Sequence, residues 1–234
     1  MGIKELLSKL GINRQPEDST TLLPRDPERA FFVSAFSLLG KLAIADEEID
    51  ERERQCVERF IDSHLNFSSD RKAQAMKLFD FASGDEREAR EYAAHIRNVF
   101  PHTFQIRETL LDILMTVSLA DEVLDQREEE ILLQIADGFG ISSTQFEQIK
   151  SRHLSARELG PEDRFYQILG CNTDSTDDDV IKSYKKLAYN YDPQRILAGG
   201  VPRDFVLIAQ KKLEDIEEAF NVICAKRNLD TTKI

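Results

Sequence analysis

Tryptophan is absent from the 234-residue chain, and only three cysteines and four histidines occur in it. Cys56, Cys171 and Cys224 are odd in number and widely spaced, so they build neither a disulfide framework nor a Cys-x-x-Cys metal or redox site. That usage fits a reducing, cytoplasmic compartment. Long apolar runs are missing as well: the longest, Ala30 to Gly40, is about half the ~20 residues needed to cross a bilayer, and Lys41 closes it. The opening MGIKELLSKLG puts two lysines and a glutamate where a secretory leader needs an unbroken apolar core, so neither a leader nor a membrane span is expected. Cations are in short supply, 31 Lys+Arg against 43 Asp+Glu for a net −12, which argues against generic nucleic-acid binding. Signatures of catalysis are lacking too. There is no Gly-rich phosphate loop, no His-Glu-x-x-His and no Gly-x-Ser-x-Gly. His64, His95, His102 and His153 are scattered as exposed or capping histidines are, and the Tyr and Phe residues sit at helical spacing as core. No enzyme and no organic cofactor is expected.

What is present is helical pattern and uneven charge. With 41% apolar and 32% charged residues the chain can bury a core under a heavily solvated surface. Residues 31–150 hold 13 Lys+Arg and 24 Asp+Glu, a net −11, whereas residues 161–234 hold 11 and 13, a net −2. Gly160-Pro161 interrupts the helical period between the two segments and marks a boundary. Near the start, Ile3, Leu6, Leu7 and Leu10 make a short amphipathic stripe, either a weak peripheral membrane or partner contact or a helix docked on its own domain. Residues 12–27, with three of the seven prolines, read as an extended arm.

From Ala30 to Arg152 apolar residues recur at helical spacing, enough for about seven helices. Within this span Ala45-Asp46-Glu47-Glu48-Ile49-Asp50-Glu51-Arg52-Glu53 returns as Ala120-Asp121-Glu122-Val123-Leu124-Asp125-Gln126-Arg127-Glu128, an offset of 75 with six of nine positions identical. Each copy lies between an apolar and an amphipathic helix, so the segment has two related halves. The paired Ala-Asp turns resemble those of the TerB-like family. That resemblance implies a pseudo-symmetric helical bundle and a cation site for Ca²⁺ or Mg²⁺ at Asp46, Asp50, Glu53, Asp121, Asp125 and Glu128, hard oxygen donors suited to such ions. The residues themselves also admit another role. Asp50-x-x-Glu53 and Asp125-x-x-Glu128 have the form of capping boxes, which would engage four of the six acids.

Beyond the boundary, Thr176 and Asp179 predict the start of a helix over 177–190. Val180, Tyr184, Leu187 and Tyr191 form its apolar stripe, with Lys182, Lys185 and Lys186 off it. Pro193, Gly199, Gly200 and Pro202 predict a loop, and Phe205 to Ile223 a second long helix, the pair forming an antiparallel hairpin. FYQILG, the Val180/Tyr184/Lys185/Lys186/Leu187/Ala188/Tyr191 pattern, Pro193 and Leu213/Ile216/Glu218/Ala219/Phe220 together resemble a J-domain of the DnaJ co-chaperones. The order of modules is similar to the DjlA family, membrane-anchored J-proteins of bacterial envelopes, although no N-terminal span is found. The resemblance implies docking to a DnaK-type chaperone through a basic helix and stimulation of its ATPase through His-Pro-Asp. Here Asp192-Pro193-Gln194 stands in those places. Asp192 cannot donate as an imidazole does, and Gln194 cannot pair an arginine bidentately.

The expectation is an all-α chain: an arm over 1–29, a TerB-like bundle over 30–152, a linker over 153–162, a J-domain-like hairpin over 163–228 and a tail over 229–234. Its implied role is a co-chaperone-type interaction protein, degenerate as an ATPase activator, that binds a DnaK-type chaperone or another protein through Lys182, Lys185, Lys186, Asp192, Pro193, Gln194 and Arg195. The rival is a cation-binding or stress-response module with the hairpin as an appendage.

Overall fold

Asp26 starts the first helix by accepting a hydrogen bond from the Arg29 amide at 3.0 Å, and Pro27 occupies the first helical position, where its missing N–H costs nothing. Pro27, expected in the arm, thus lies inside a helix that begins before residue 30, while the amphipathic stripe over residues 3–10 and residues 12–22 of the expected arm lie outside the described residues. The computed structural model describes residues 23–44, 51–119, 124–155 and 160–229; all regular structure among them is helical. This first helix, α1 (Pro27–Leu42), is buried continuously from Ala30 to Leu42. A helix apolar on every side must be surrounded.

Around it lie α2 (Glu51–His64), α3 (Ser69–Ser83), α4 (Ala89–Val99), α5 (Phe104–Ser118), α6 (Gln126–Phe139) and α7 (Ser143–Ser155). α1 packs against α3, α4, α5 and α6. These are seven helices among the described residues, as the apolar period predicts. The repeat is visible in their bounds, since α2 and α6 begin and end 75 residues apart. Two glycines set the closest approaches. A Cβ on Gly40 would stand 2.2 Å from the Phe79 carbonyl oxygen, and one on Gly138 2.6 Å from that of Arg90, so α1 touches α3 and α6 touches α4 at distances only glycine permits.

The C-terminal helices are α8 (Pro161–Ile168), α9 (Asp177–Asn190), α10 (Pro193–Ala198) and α11 (Arg203–Arg227). α9 begins where predicted: the Thr176 hydroxyl accepts from the Asp179 amide, and the Asp179 carboxylate accepts in return from Thr176. Contacts between α9 and α11 run in opposite order along the chain. Asp177 pairs with Arg227 at 2.9 Å, Tyr184 stacks on Phe220 at 3.9 Å, and Tyr191 lies under Lys212. The hairpin is antiparallel. Its connection differs from a plain loop, because Asp192 and Pro193 start the short helix α10 before Gly199 and Gly200.

One apolar cluster runs through both groups of helices. Phe205, at the start of α11, inserts among Phe31 and Phe36 of α1 and Phe67, with ring centroids 4.8, 6.0 and 6.1 Å away. Such tilted and edge-on aromatic contacts add to the burial of large side chains. Gly200 presses on Pro27, where a Cβ would come within 2.8 Å of the proline ring. No helix among the described residues is long and apolar enough to cross a membrane.

Candidate functional site

On α9, Val180 is buried and Tyr184 and Leu187 are half-buried against α11, while Tyr191 is buried just past its end. Residues three and four apart share a helical face. Lys182, Lys185, Lys186 and Tyr189 consequently form one outward stripe, and all four are exposed. Tyr189 departs from the expectation that every tyrosine is core: it is 56% exposed. The Arg195 guanidinium, from α10, lies over its ring at 3.6 Å from the centroid. α9 thus carries a cationic face ending in a stacked Tyr–Arg pair.

These cations have few competitors. Asp177 is paired with Arg227, and Asp179 is held below the usual carboxylate range by its hydrogen bonds from Thr176. Among the described residues, no carboxylate lies within 4.0 Å of the Lys182, Lys185, Lys186 or Arg195 charge. Lys182 still interacts electrostatically with Asp179 and helps to hold its carboxyl low, but no direct ion pair forms between them.

The tripeptide at the hairpin connection has a local task. The Asp192 carboxylate accepts from the Gln194 amide at 2.8 Å and the Arg195 amide at 3.4 Å, and Pro193 supplies the first position of α10. Asp192 is a helix cap, a role for which a short carboxylate is well suited. Gln194 and Arg195 face solvent, whereas Asp192 and Pro193 are half-buried.

Tyr191, immediately before the tripeptide, is tied to the bundle. Asp112 of α5 is buried, and its carboxylate accepts from Lys212 Nζ at 2.8 Å, His153 Nε2 at 3.0 Å and the Tyr191 hydroxyl at 3.3 Å. Burial opposes ionisation of this carboxyl, but Lys212, together with His153 and Arg152, outweighs it and holds the group well below the usual carboxylate range. Burial, with Asp112 nearby, pushes the Tyr191 hydroxyl well above its ordinary value. Gln105 Nε2 of α5 also donates to Asn190 Oδ1 at 3.1 Å. A cleft of about 440 Å³ opens beside Asp112, lined in part by Arg152, Arg164 and Lys212. Two histidines are more deeply engaged than a scattered surface set: besides His153, the buried His95 contacts the Pro24 carbonyl at 2.7 Å.

Asp112 and Tyr189 are the residues that pattern reading passed over. Each left a signal. Asp112 is an acid inside the apolar run LLDILM, and Tyr189 falls on the lysine stripe rather than the apolar one.

The duplicated acidic turns are described only in part. Asp46, Asp50 and Asp121 lie outside the described residues. In the second copy Asp125 accepts from the Arg127 and Glu128 amides at 2.6 and 2.9 Å, and Glu128 Oε2 accepts from the Asp125 amide at 3.1 Å, completing the capping box. Glu53 lies in the first turn of α2. Among the described residues, no three His, Cys, Asp or Glu side chains are grouped as a metal ion requires.

Residues 32–151 match the family described as Tellurite resistance protein TerB. The chain is 24% identical over 219 residues to the Co-chaperone protein DjlA of Salmonella typhimurium (strain LT2), covering 85% of this chain and 80% of that protein. It is 22% identical over 207 residues to the protein of that name in Shewanella oneidensis, covering 85% and 79%, and 22% over 233 residues to that of Vibrio cholerae, covering 88% and 82%. No solved structure matches the chain.

Proposed function

From the premise that the chain belongs to the TerB family through residues 32–151, we propose that its bundle is a scaffold presenting a J-domain-like hairpin as the docking element of a co-chaperone-type protein. The partner in this reading is a cytoplasmic DnaK-type chaperone, and the protein acts as its adaptor or regulator, without stimulating hydrolysis efficiently. Similarity to the DjlA co-chaperones over most of both chains supports the class. The observation that carries the finer reading is the contrast along one hairpin. Lys182, Lys185, Lys186 and Arg195 are exposed without a carboxylate within 4.0 Å among the described residues, while Asp192 is engaged as the cap of α10.

The chemistry follows from that contrast. A cationic face with few internal partners raises the encounter rate with an acidic surface and sets its orientation, an effect that falls with ionic strength. Activation through the tripeptide would need a group at 192 that donates and a carboxylate at 194. Asp192 instead accepts two amides of its own chain, and Gln194 is neutral. Docking is retained and the trigger is missing.

The test is a binding isotherm for the ATP-bound chaperone with the wild-type chain and with K182E/K185E/K186E, at low and high salt. Salt-sensitive binding that the triple reversal abolishes is the expected result. Absence of wild-type binding at low salt, or binding indifferent to the reversal, rejects the reading.

A further inference from the structure

We propose that Tyr189 and Arg195 form a carboxylate-reading fork that selects an acidic segment of the protein partner. The proposal deepens the docking reading above and rests on it. An exposed arginine ordinarily samples many rotamers, and ordering it lowers the gain from any contact. Arg195 is different in two respects. Its backbone is fixed in the first turn of α10, where its amide donates to Asp192, and its guanidinium carbon lies over the Tyr189 ring, 3.6 Å from the centroid, a distance that suits stacking. Stacking uses the face of the guanidinium and leaves its edge free, and the edge carries the paired N–H groups that match a carboxylate bidentately.

The surroundings point the same way. Tyr189 lies three and four residues beyond Lys186 and Lys185 on the α9 stripe, so the fork sits at one end of a line of positive charge. No carboxylate among the described residues lies within 4.0 Å of it. The acids nearest in sequence are engaged or oriented elsewhere: Asp192 caps α10, and Asp177 and Asp179 are tied at the opposite end of α9. The occupant that fits is an acidic peptide segment whose side chains run along α9, with one Asp or Glu seated on Arg195 against the phenol ring. Lysines alone would attract such a segment; the fork distinguishes a carboxylate from its amide at one position.

The experiment measures fluorescence anisotropy of a labelled dodecapeptide of mixed Glu, Asp and Gly, and of its Gln/Asn counterpart, binding to the full chain. Wild type binds the acidic peptide in a salt-dependent way and the amide peptide at least tenfold more weakly. R195K keeps the charge but removes the fork and weakens acidic-peptide binding about tenfold, the loss of one charge-assisted hydrogen bond. Y189L removes the stack and weakens it severalfold, whereas Y189F retains wild-type affinity because the ring face is kept. K182Q, at the far end of the stripe, has the smallest effect. If the acidic peptide binds wild type and R195K equally, the fork is overturned while docking through the cationic face survives. If neither peptide binds, the fork falls outright, and the chaperone isotherm decides the docking reading separately.

Discussion

The bundle and the C-terminal hairpin handle charge in opposite ways. In the bundle, cations face acids across helices: Lys72 pairs with Asp62 at 2.8 Å, Arg90 with Asp137 at 2.7 Å, Lys150 with Glu129 at 2.5 Å and Arg152 with Glu108 at 3.3 Å, and Arg54 pairs with Asp80. On α9 Asp177 is engaged by Arg227 and Asp179 by the capping box, and the lysines look outward. Net charge points the other way, with −11 in residues 31–150 and −2 in residues 161–234. Availability, rather than total charge, distinguishes the proposed docking face from the bundle. The two regions are nevertheless joined by a buried carboxylate and an inserted phenylalanine, so the face is presented in a set orientation.

The sharpest way to break the scaffold side of this comparison is Gly40→Ala. Its Cβ has only backbone to meet, at 2.2 Å, so the cost is expected at ~3 kcal/mol or more by thermal unfolding, whereas Gly84→Ala, whose nearest contact is 4.0 Å away, is close to neutral. Phe205→Ala and Asp112→Ala attack the junction. Each should cost about 3 kcal/mol, the first by leaving a cavity among Phe31, Phe36 and Phe67, the second by depriving the buried Tyr191 hydroxyl, together with His153 and Lys212, of their shared acceptor. Hydrogen exchange should then rise in α9 and α11 before it rises in α1.

Acidification probes the bundle through His95, which contacts the Pro24 carbonyl, and the junction through Asp112. Burial lowers the His95 pKa from its ordinary 6.5, so the unfolded chain binds its proton more readily and stability falls as pH drops through about 6.5. The depressed Asp112 carboxyl contributes stability that is fully present above its ordinary 3.8 and is lost as pH falls further. A two-stage decline in Tm is the expected profile. His95→Gln should flatten the first stage, and Asp112→Asn should remove the second while costing stability at neutral pH.

Smaller effects test caps and surface. Asp125→Ala and Asp192→Ala should each cost ~1 kcal/mol, measured by denaturant midpoint. K182E/K185E/K186E should change stability by no more than ~1 kcal/mol, since these side chains are exposed and the added like charges beside Asp178 and Asp179 cost only a few tenths each, yet abolish partner binding. A large loss of stability in that variant would erase the distinction between scaffold and face.

Much of this architecture is legible in the sequence because it rests on local rules. The 3.6 period marks the helices, Thr176 and Asp179 mark the start of α9, and the 75-residue repeat marks α2 and α6 as counterparts. The candidate site was partly legible: the lysine stripe follows from helical spacing alone. What escaped depends on contacts distant in sequence. Asp112 meets Lys212 a hundred positions away, and Phe205 reaches residues of α1, neither of which any periodicity encodes. The cap made by Asp192 escaped for a different reason. Comparison with His-Pro-Asp frames position 192 as a lost donor, while the geometry gives it a gain as an acceptor.

The central claim, docking without triggering, is tested most directly by steady-state ATP hydrolysis of a DnaK-type chaperone at saturating concentrations of this protein, beside the Asp192→His, Gln194→Asp double variant. Hydrolysis should stay near the chaperone's basal rate with the wild-type chain and rise with the variant. Full stimulation by the unmodified chain would contradict the account.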